Sequence, residues 1–302
     1  MTESLIHVAL LLAFPPFLLG VIVKTKAWFA GRVGAPLLQP YYDLFKLARK
    51  GLVLSTTTTW IFRAGPVVTL AAVLLAGLLV PIGRFDAPVS FTGDLILFAY
   101  LFGLARFFTT AAALDTGSPF EGMGSAREVT FACLSEPALF FALLVLSKLS
   151  GSLVLTDLLH GPAGGFPSAG VAPLVLISIG LFVVLLAETC RIPVDDPNTH
   201  LELTMIHEAM VLDHSGPLLS VILYGAAVKL YILGSVLLHL IAPVQLATPW
   251  LNWPLFLLEL SGLAVFIGII ESIMARLQMR HVPYLLVGAV LFCGFSFILL
   301  VR

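Results

Sequence analysis

Eight runs of mostly apolar residues follow one another along this chain, at 4–23, 62–82, 93–113, 130–150, 171–189, 218–242, 252–273 and 283–301. A bilayer core asks for roughly twenty such residues per crossing. Inside it each backbone polar group needs a partner within the protein, so runs of this length and spacing have one outlet, the α-helix. With 59% hydrophobic and 11% charged residues and a mean hydropathy of +1.06, the predicted fold class is all-α: a polytopic membrane protein with eight transmembrane helices. The longest polar stretch, 187–217, is too short for an independent domain, so residues 1–302 are expected to form a single membrane domain. The first run lacks a basic segment before it and is followed by Lys24 and Lys26, which predicts a retained span rather than a cleaved leader.

Between the first two spans, PYYDLFKLARKG (Pro40 to Gly51) gathers Tyr41, Leu44, Phe45 and Leu47 on one helical face. Asp43, Lys46, Arg49 and Lys50 fall elsewhere, which predicts one interfacial amphipathic helix lying in the membrane surface. The basic residues then set the orientation. Lys24, Lys26, Arg32, Lys46, Arg49, Lys50, Arg63, Arg127, Arg191, Arg276 and Arg280 all fall on one side of the eight-span layout, with Arg84, Arg302 and Lys148 across from them. The first side is expected to be cytoplasmic, in a cell inner membrane, with both termini on the outer side.

The segment AETCRIPVDDPNTHLELTMIHEAMVLDHSGP, Ala187 to Pro217, holds Glu188, Asp195, Asp196, Glu202, Glu208 and Asp213, six of the 17 acids of the chain. A plain connector needs only a turn and a few polar residues, so 187–217 is read as a cytoplasmic acidic coupling loop. Arg106, Glu136, Lys229, Glu259 and Glu271 lie inside predicted spans, where each costs on the order of 3 kcal/mol unless paired or hydrated. Glu128 and Glu136 are eight positions apart, about 80 degrees beyond two turns, and so share one side of their helix. Either these groups only dock helices, Glu136 pairing with Lys229 or Arg106, or the carboxylates form a hydrated proton relay. The number of acids near one end favours the relay.

His200, His207 and His214 recur every seven residues and would share a face if the loop were helical. HEAMV lacks the second histidine of a zinc HExxH site, so these residues are expected at a cytoplasmic interface or beside carboxylates. Cys133, Cys190 and Cys293 show no CxxC or Cys/His spacing, and no metal or cofactor is expected in this chain.

At this point the motifs become recognisable. ETCRIPVDDP resembles the E-x-x-R-x-P-F-D loop of the membrane subunit that forms the quinone chamber of respiratory complex I. RVGAPLLQPYYDLFKL, Arg32 to Leu47, is similar to the segment after that family's first helix. FGLARFFTTAAALDTGSPFEGMGSARE, Phe102 to Glu128, and ESIMARL, Glu271 to Leu277, resemble more closely the anchor subunits of group 4 energy-converting nickel-iron hydrogenases and formate hydrogenlyases. The resemblance implies a non-catalytic anchor that docks a peripheral redox arm and couples electron transfer to translocation of protons or Na+.

It further implies hydrogenase-like large and small subunits, an iron–sulfur subunit and antiporter-like membrane subunits as partners, besides the lipid bilayer and with no nucleic acid. Nickel-iron and iron–sulfur centres would lie in those partners. Glu128, Glu136, Glu188, Arg191, Asp195, Glu202, Glu208 and Lys229 are the expected proton-path and coupling residues, with Arg191 organising the loop acids and Asp195 and Glu202 where the arm docks. Arg32, Asp43, Lys46, Asp196, His207 and Asp213 are the expected interface. Val194 stands where the family motif has Phe, and the alternative left open is a quinone-binding subunit of a complex I-like NADH or ferredoxin:quinone oxidoreductase. A free-standing secondary transporter is less consistent with the absence of an internal repeat.

Overall fold

Pro15 and Pro16 interrupt the first apolar run, and the chain bends there. The computed structural model describes residues 2–161, 171–195, 205–242, 246 and 248–301. It divides the expected first span into α1 (Thr2–Ala13) and α2 (Pro15–Phe29), which meet at 44°. A proline has no N–H to give and restricts the residue before it, so the carbonyls of Leu11 and Leu12 lose their helical donors. Two tyrosine hydroxyls come to the bend instead: Tyr224 donates to the Leu12 carbonyl at 2.8 Å and Tyr41 to that of Ala13.

The remaining helices are α3 (Gln39–Ala48), α4 (Trp60–Leu79), α5 (Asp94–Asp115), α6 (Pro119–Ser150), α7 (Leu155–His160), α8 (Val171–Glu188), α9 (Gly216–Ile241), α10 (Asn252–Ile273) and α11 (Val282–Val301). Seven are long and apolar enough to cross a membrane singly, and the bent pair α1–α2 passes the same test together, giving up to eight crossings. The all-α polytopic class is as expected, with no strand among the described residues. One boundary and one element differ most. The fourth span starts eleven residues earlier than its apolar run, at Pro119, because Ser118-Pro119 opens a helix whose first turns are polar. At 32 residues it is about 48 Å long, well beyond a bilayer core. The short α7 was not foreseen; buried Asp94 accepts from the Leu155 amide at 2.6 Å and fixes its start.

The core runs along α9. Of its apolar window 67% is inside the bundle, against 50% or less in every other candidate span. Around it stand α2, α3, α4, α8 and α10, while α11 closes against α6 and α8. α2 and α10 come close because Gly268 has no side chain: a Cβ there would stand 2.8 Å from that of Thr25. α3 packs on α2 and α9, with Ser220 donating to the Leu44 carbonyl at 3.0 Å. Tyr41, Leu44 and Leu47 share one half-buried face, here turned toward the bundle; Phe45 does not, being exposed with the Arg49 guanidinium 4.0 Å over its ring.

Candidate functional site

Arg106 is the hub of the site. It projects from α5 into a cluster of carboxylates carried by α6 and α8, with Nε 3.4 Å from Glu128 and the two terminal nitrogens bonded to Glu136 and Glu188. Lys229 of α9 reaches the other oxygen of Glu188 at 2.5 Å, and Ser135 of α6 donates to Glu188 at 2.9 Å. Four helices thus meet on five charged side chains. When all are ionised, three carboxylates against two cations leave one negative charge in excess, so one proton balances the cluster. The two ends differ in access: the Glu188 side chain is 8% exposed, that of Glu136 44%. Beside Glu188 lies a cavity of about 20 Å³ lined by Glu128, Ser135, Cys190, Val194, Asp195 and Ile206, room for about one water.

α8 ends at this cavity in a left-handed cap. The Arg191 amide donates to Leu186 at 2.8 Å and the Cys190 amide to Ala187 at 3.2 Å, with Cys190 at φ +53° in the position that usually falls to glycine. Burial, and then the carboxylates of Glu128 and Asp195, push the Cys190 thiol well above its ordinary range.

The loop beyond is stitched to the helices by charge. Asp195, 2% exposed, accepts from the amides of Ile206 and His207 at 3.1 and 3.2 Å on one oxygen and from Arg276 at 2.8 Å on the other. Arg127 donates to the Met205 carbonyl at 2.8 Å, and buried Glu121 accepts from the Asp213 amide at 3.0 Å. α6 can approach this strand of loop because residue 124 is glycine; a Cβ there would lie 2.9 Å from that of Ala209. His214 is buried, stacked 4.0 Å from the Phe62 ring, and burial lowers both its pKa and that of His207 below the imidazole norm.

Some expectations hold on this geometry and others change. Of the two pairings named for Glu136, the one with Arg106 is present, while Lys229 meets Glu188. Arg191 does not gather the loop acids among the described residues: it lies 3.4 Å from Glu271 of α10, which Lys26 of α2 meets at 2.8 Å. Arg276 takes the organising role instead. Asp195, expected where a partner docks, turns inward, because two loop amides and a guanidinium need an acceptor there. The loop from 205 is not a helix with histidines on one face; it holds a single 3-10 turn, Glu208–Val211, and His207 is half-buried. Asp43 accepts from Gln39 at 2.8 Å on the exposed side of α3, where Lys46 and, upstream of the helix, Arg32 are exposed too, as is Asp213. Asp196, Glu202 and His200 lie outside the described residues. Arg106, Glu121, Ser135, Lys26, Glu271 and Arg276 were not among the expected site residues. The signal for Arg106 was present, an arginine in an apolar span of a chain with unmatched acids on neighbouring spans.

Comparison with known proteins gives this arrangement a context. A family model described as NADH dehydrogenase matches residues 2–302. Hydrogenase-4 component C of Escherichia coli (strain K12) is 31% identical over 291 residues, covering 93% of this chain and 91% of that protein. Formate hydrogenlyase subunit 4 of the same organism is 28% identical over 299 residues, covering 97% and 94%. In the solved structure of an archaeal respiratory membrane complex, the membrane-bound sulfane sulfur reductase, one chain shares the fold with a TM-score of 0.84, covering 99% of this chain and 98% of its own at 19% identity.

Proposed function

Because the chain belongs to the NADH dehydrogenase family, we propose that it is the membrane anchor and coupling subunit of a complex I-related assembly of the group 4 hydrogenase type. In this reading a peripheral redox arm, holding the nickel-iron and iron–sulfur centres in its large, small and iron–sulfur subunits, docks on the loop end of the bundle, which faces the cytoplasm. Antiporter-like subunits continue the membrane part. The assembly sits in the inner membrane, and both termini of this chain face outward.

The observation that carries the reading is the sharing of Arg106 among Glu128, Glu136 and Glu188. A guanidinium with more carboxylates than it can neutralise makes the proton affinity of each depend on which of the others it holds. Glu188 ends the helix that leads into the loop, and Asp195 ties that loop to Ile206, His207 and Arg276. A shift of the loop by the docked arm therefore moves Glu188 against Arg106, and a proton enters or leaves through Glu136 and Lys229 to restore the balance. Ion movement follows electron transfer without a redox centre in this chain. The small cavity beside Glu188 suits a water in such a relay.

The test uses inverted membrane vesicles carrying the whole assembly. Glu188→Gln is expected to keep electron transfer and to lower ion uptake per electron several-fold, because the amide can no longer take or release the proton. Unchanged uptake would sink the proposal. A quinone-reducing activity that disappears with Val194 or Glu128 substitutions would favour the alternative.

A further inference from the structure

Glu259 lies inside a span with nothing to bind it among the described residues. Among the described residues, each of the other carboxylates within α4 to α11 accepts a hydrogen bond or an ion pair: Asp94, Asp115, Glu121, Glu128, Glu136, Asp157, Glu188 and Glu271. Glu259 has no such partner, although it sits seven residues into α10, about 10 Å along the helix from its start and about 21 Å from its end. Glutamate is too short to carry its charge from there to the surface in the way a lysine or arginine does. A carboxylate at that depth faces protein or water rather than lipid tails.

α10 shows which. Its buried face, Phe256, Leu260, Ala264 and Ile267, is taken by α2 and α9. Glu259 lies on the flank of that face, half-buried, in line with Gly262 and Phe266 at the 3–4 spacing of a helix stripe. Gly262 is exposed, and a Cβ added to it would meet nothing within 4 Å, while Leu258 beside it is 69% exposed and Phe266 50%. A small residue next to an unmatched polar one is the pattern by which membrane helices approach closely and bond across the contact. Phe266 already leans toward α8, its ring 5.5 Å from that of Phe182, so the stripe borders the side between α8 and α10.

We propose that the Glu259–Gly262–Phe266 stripe is the seat of a transmembrane helix from another subunit of the assembly, one that presents a lysine or arginine at the depth of Glu259. A cation satisfies the carboxylate, which no described residue of its own chain does, and glycine leaves room for the helix that brings it. The inference rests on the reading that this chain works inside a multi-subunit membrane assembly; it adds where one neighbour sits and what it must carry.

The test uses the intact assembly, purified through a tag on this chain from its own membranes, with a photo-cross-linking residue at position 258 and, separately, the variants Glu259→Gln and Glu259→Lys. The expected result is a cross-link to a single membrane subunit, mapped to a helix with Lys or Arg inside the span. Glu259→Lys should lower recovery of that same subunit at least tenfold, and a Lys/Arg→Glu change in the mapped helix should restore it. Glu259→Gln, which keeps the shape, should lower recovery several-fold while the chain still elutes as a single folded species. Cross-links to lipid alone, a mapped helix with no basic residue, or full recovery of every subunit in both variants would each overturn the inference. In all three cases a redox arm that still co-purifies leaves the proposed function standing.

Discussion

Arg106 and Lys229 hold one carboxylate between them, each bonded to a different oxygen of Glu188 from helices on either side of it. The two cations are not equivalent. Lys229 serves Glu188, whereas Arg106 also serves Glu128 and Glu136, so its loss strands those two acids, while loss of Lys229 strands none among the described residues. Arg106→Leu is expected to destabilise the chain by about 3–5 kcal/mol, the usual result of removing one side of a buried ion cluster. Lys229→Met should cost clearly less, since Arg106 remains on Glu188. Thermal unfolding in detergent ranks the two, and equal midpoints would refute the hub role of Arg106.

Asp195 gathers two amides and a guanidinium into one loop. Asp195→Ala should leave the amides of Ile206 and His207 without their acceptor and cost about 2 kcal/mol. Hydrogen exchange reads this locally: protection at Ile206 and His207 falls in the variant while that of α9 stays. Uniform change throughout the chain would mean that Asp195 acts on the whole fold.

Cys190 pays for its left-handed backbone, and glycine would not. Cys190→Gly is expected to raise stability by about 1 kcal/mol. In the parent chain the Cys190 thiol, pushed well above its ordinary range, stays protonated at pH 8, so a maleimide should label it far more slowly than a free cysteine. Labelling at equal rates would contradict the described cap.

His207 and His214 are both held neutral by burial, which makes a statement about acid. Their folded pKa values lie below the ordinary imidazole value, so the unfolded chain binds the extra protons first as pH drops. Their contribution to stability is complete above about pH 6.5 and is lost as pH falls from there through the folded values. His214→Phe, which keeps the stack on Phe62, should flatten the fall in unfolding midpoint between pH 7 and pH 5. An unchanged slope would show that His214 does not titrate on unfolding.

The helices were legible because twenty apolar residues in a row admit one structure in a bilayer, and Glu128, Glu136, Glu188 and Lys229 were legible because charge inside such a run needs a reason. What escaped was pairing. Nothing in a linear sequence says that Arg106 on α5 reaches past α6 to α8, or that Arg276 rather than Arg191 finds Asp195, since both depend on how helices rotate about their axes. The extension of α6 back to Pro119 was hidden for another reason: Glu121, Arg127 and Glu128 read as a polar connector when only hydropathy is followed, although polar turns continue a helix at no penalty once they leave the bilayer.

The bend at Phe14 reaches beyond the first span. The hydroxyls that complete the bend come from two places, Tyr224 in the middle of the bundle and Tyr41 on the surface helix. α3 is thereby latched to the joint of a transmembrane segment. Any partner that lifts α3 must unfasten the Tyr41 latch and leave the Ala13 carbonyl without that donor. The surface helix therefore works as a handle on the first span, and how firmly it is gripped decides how freely that joint can open or close.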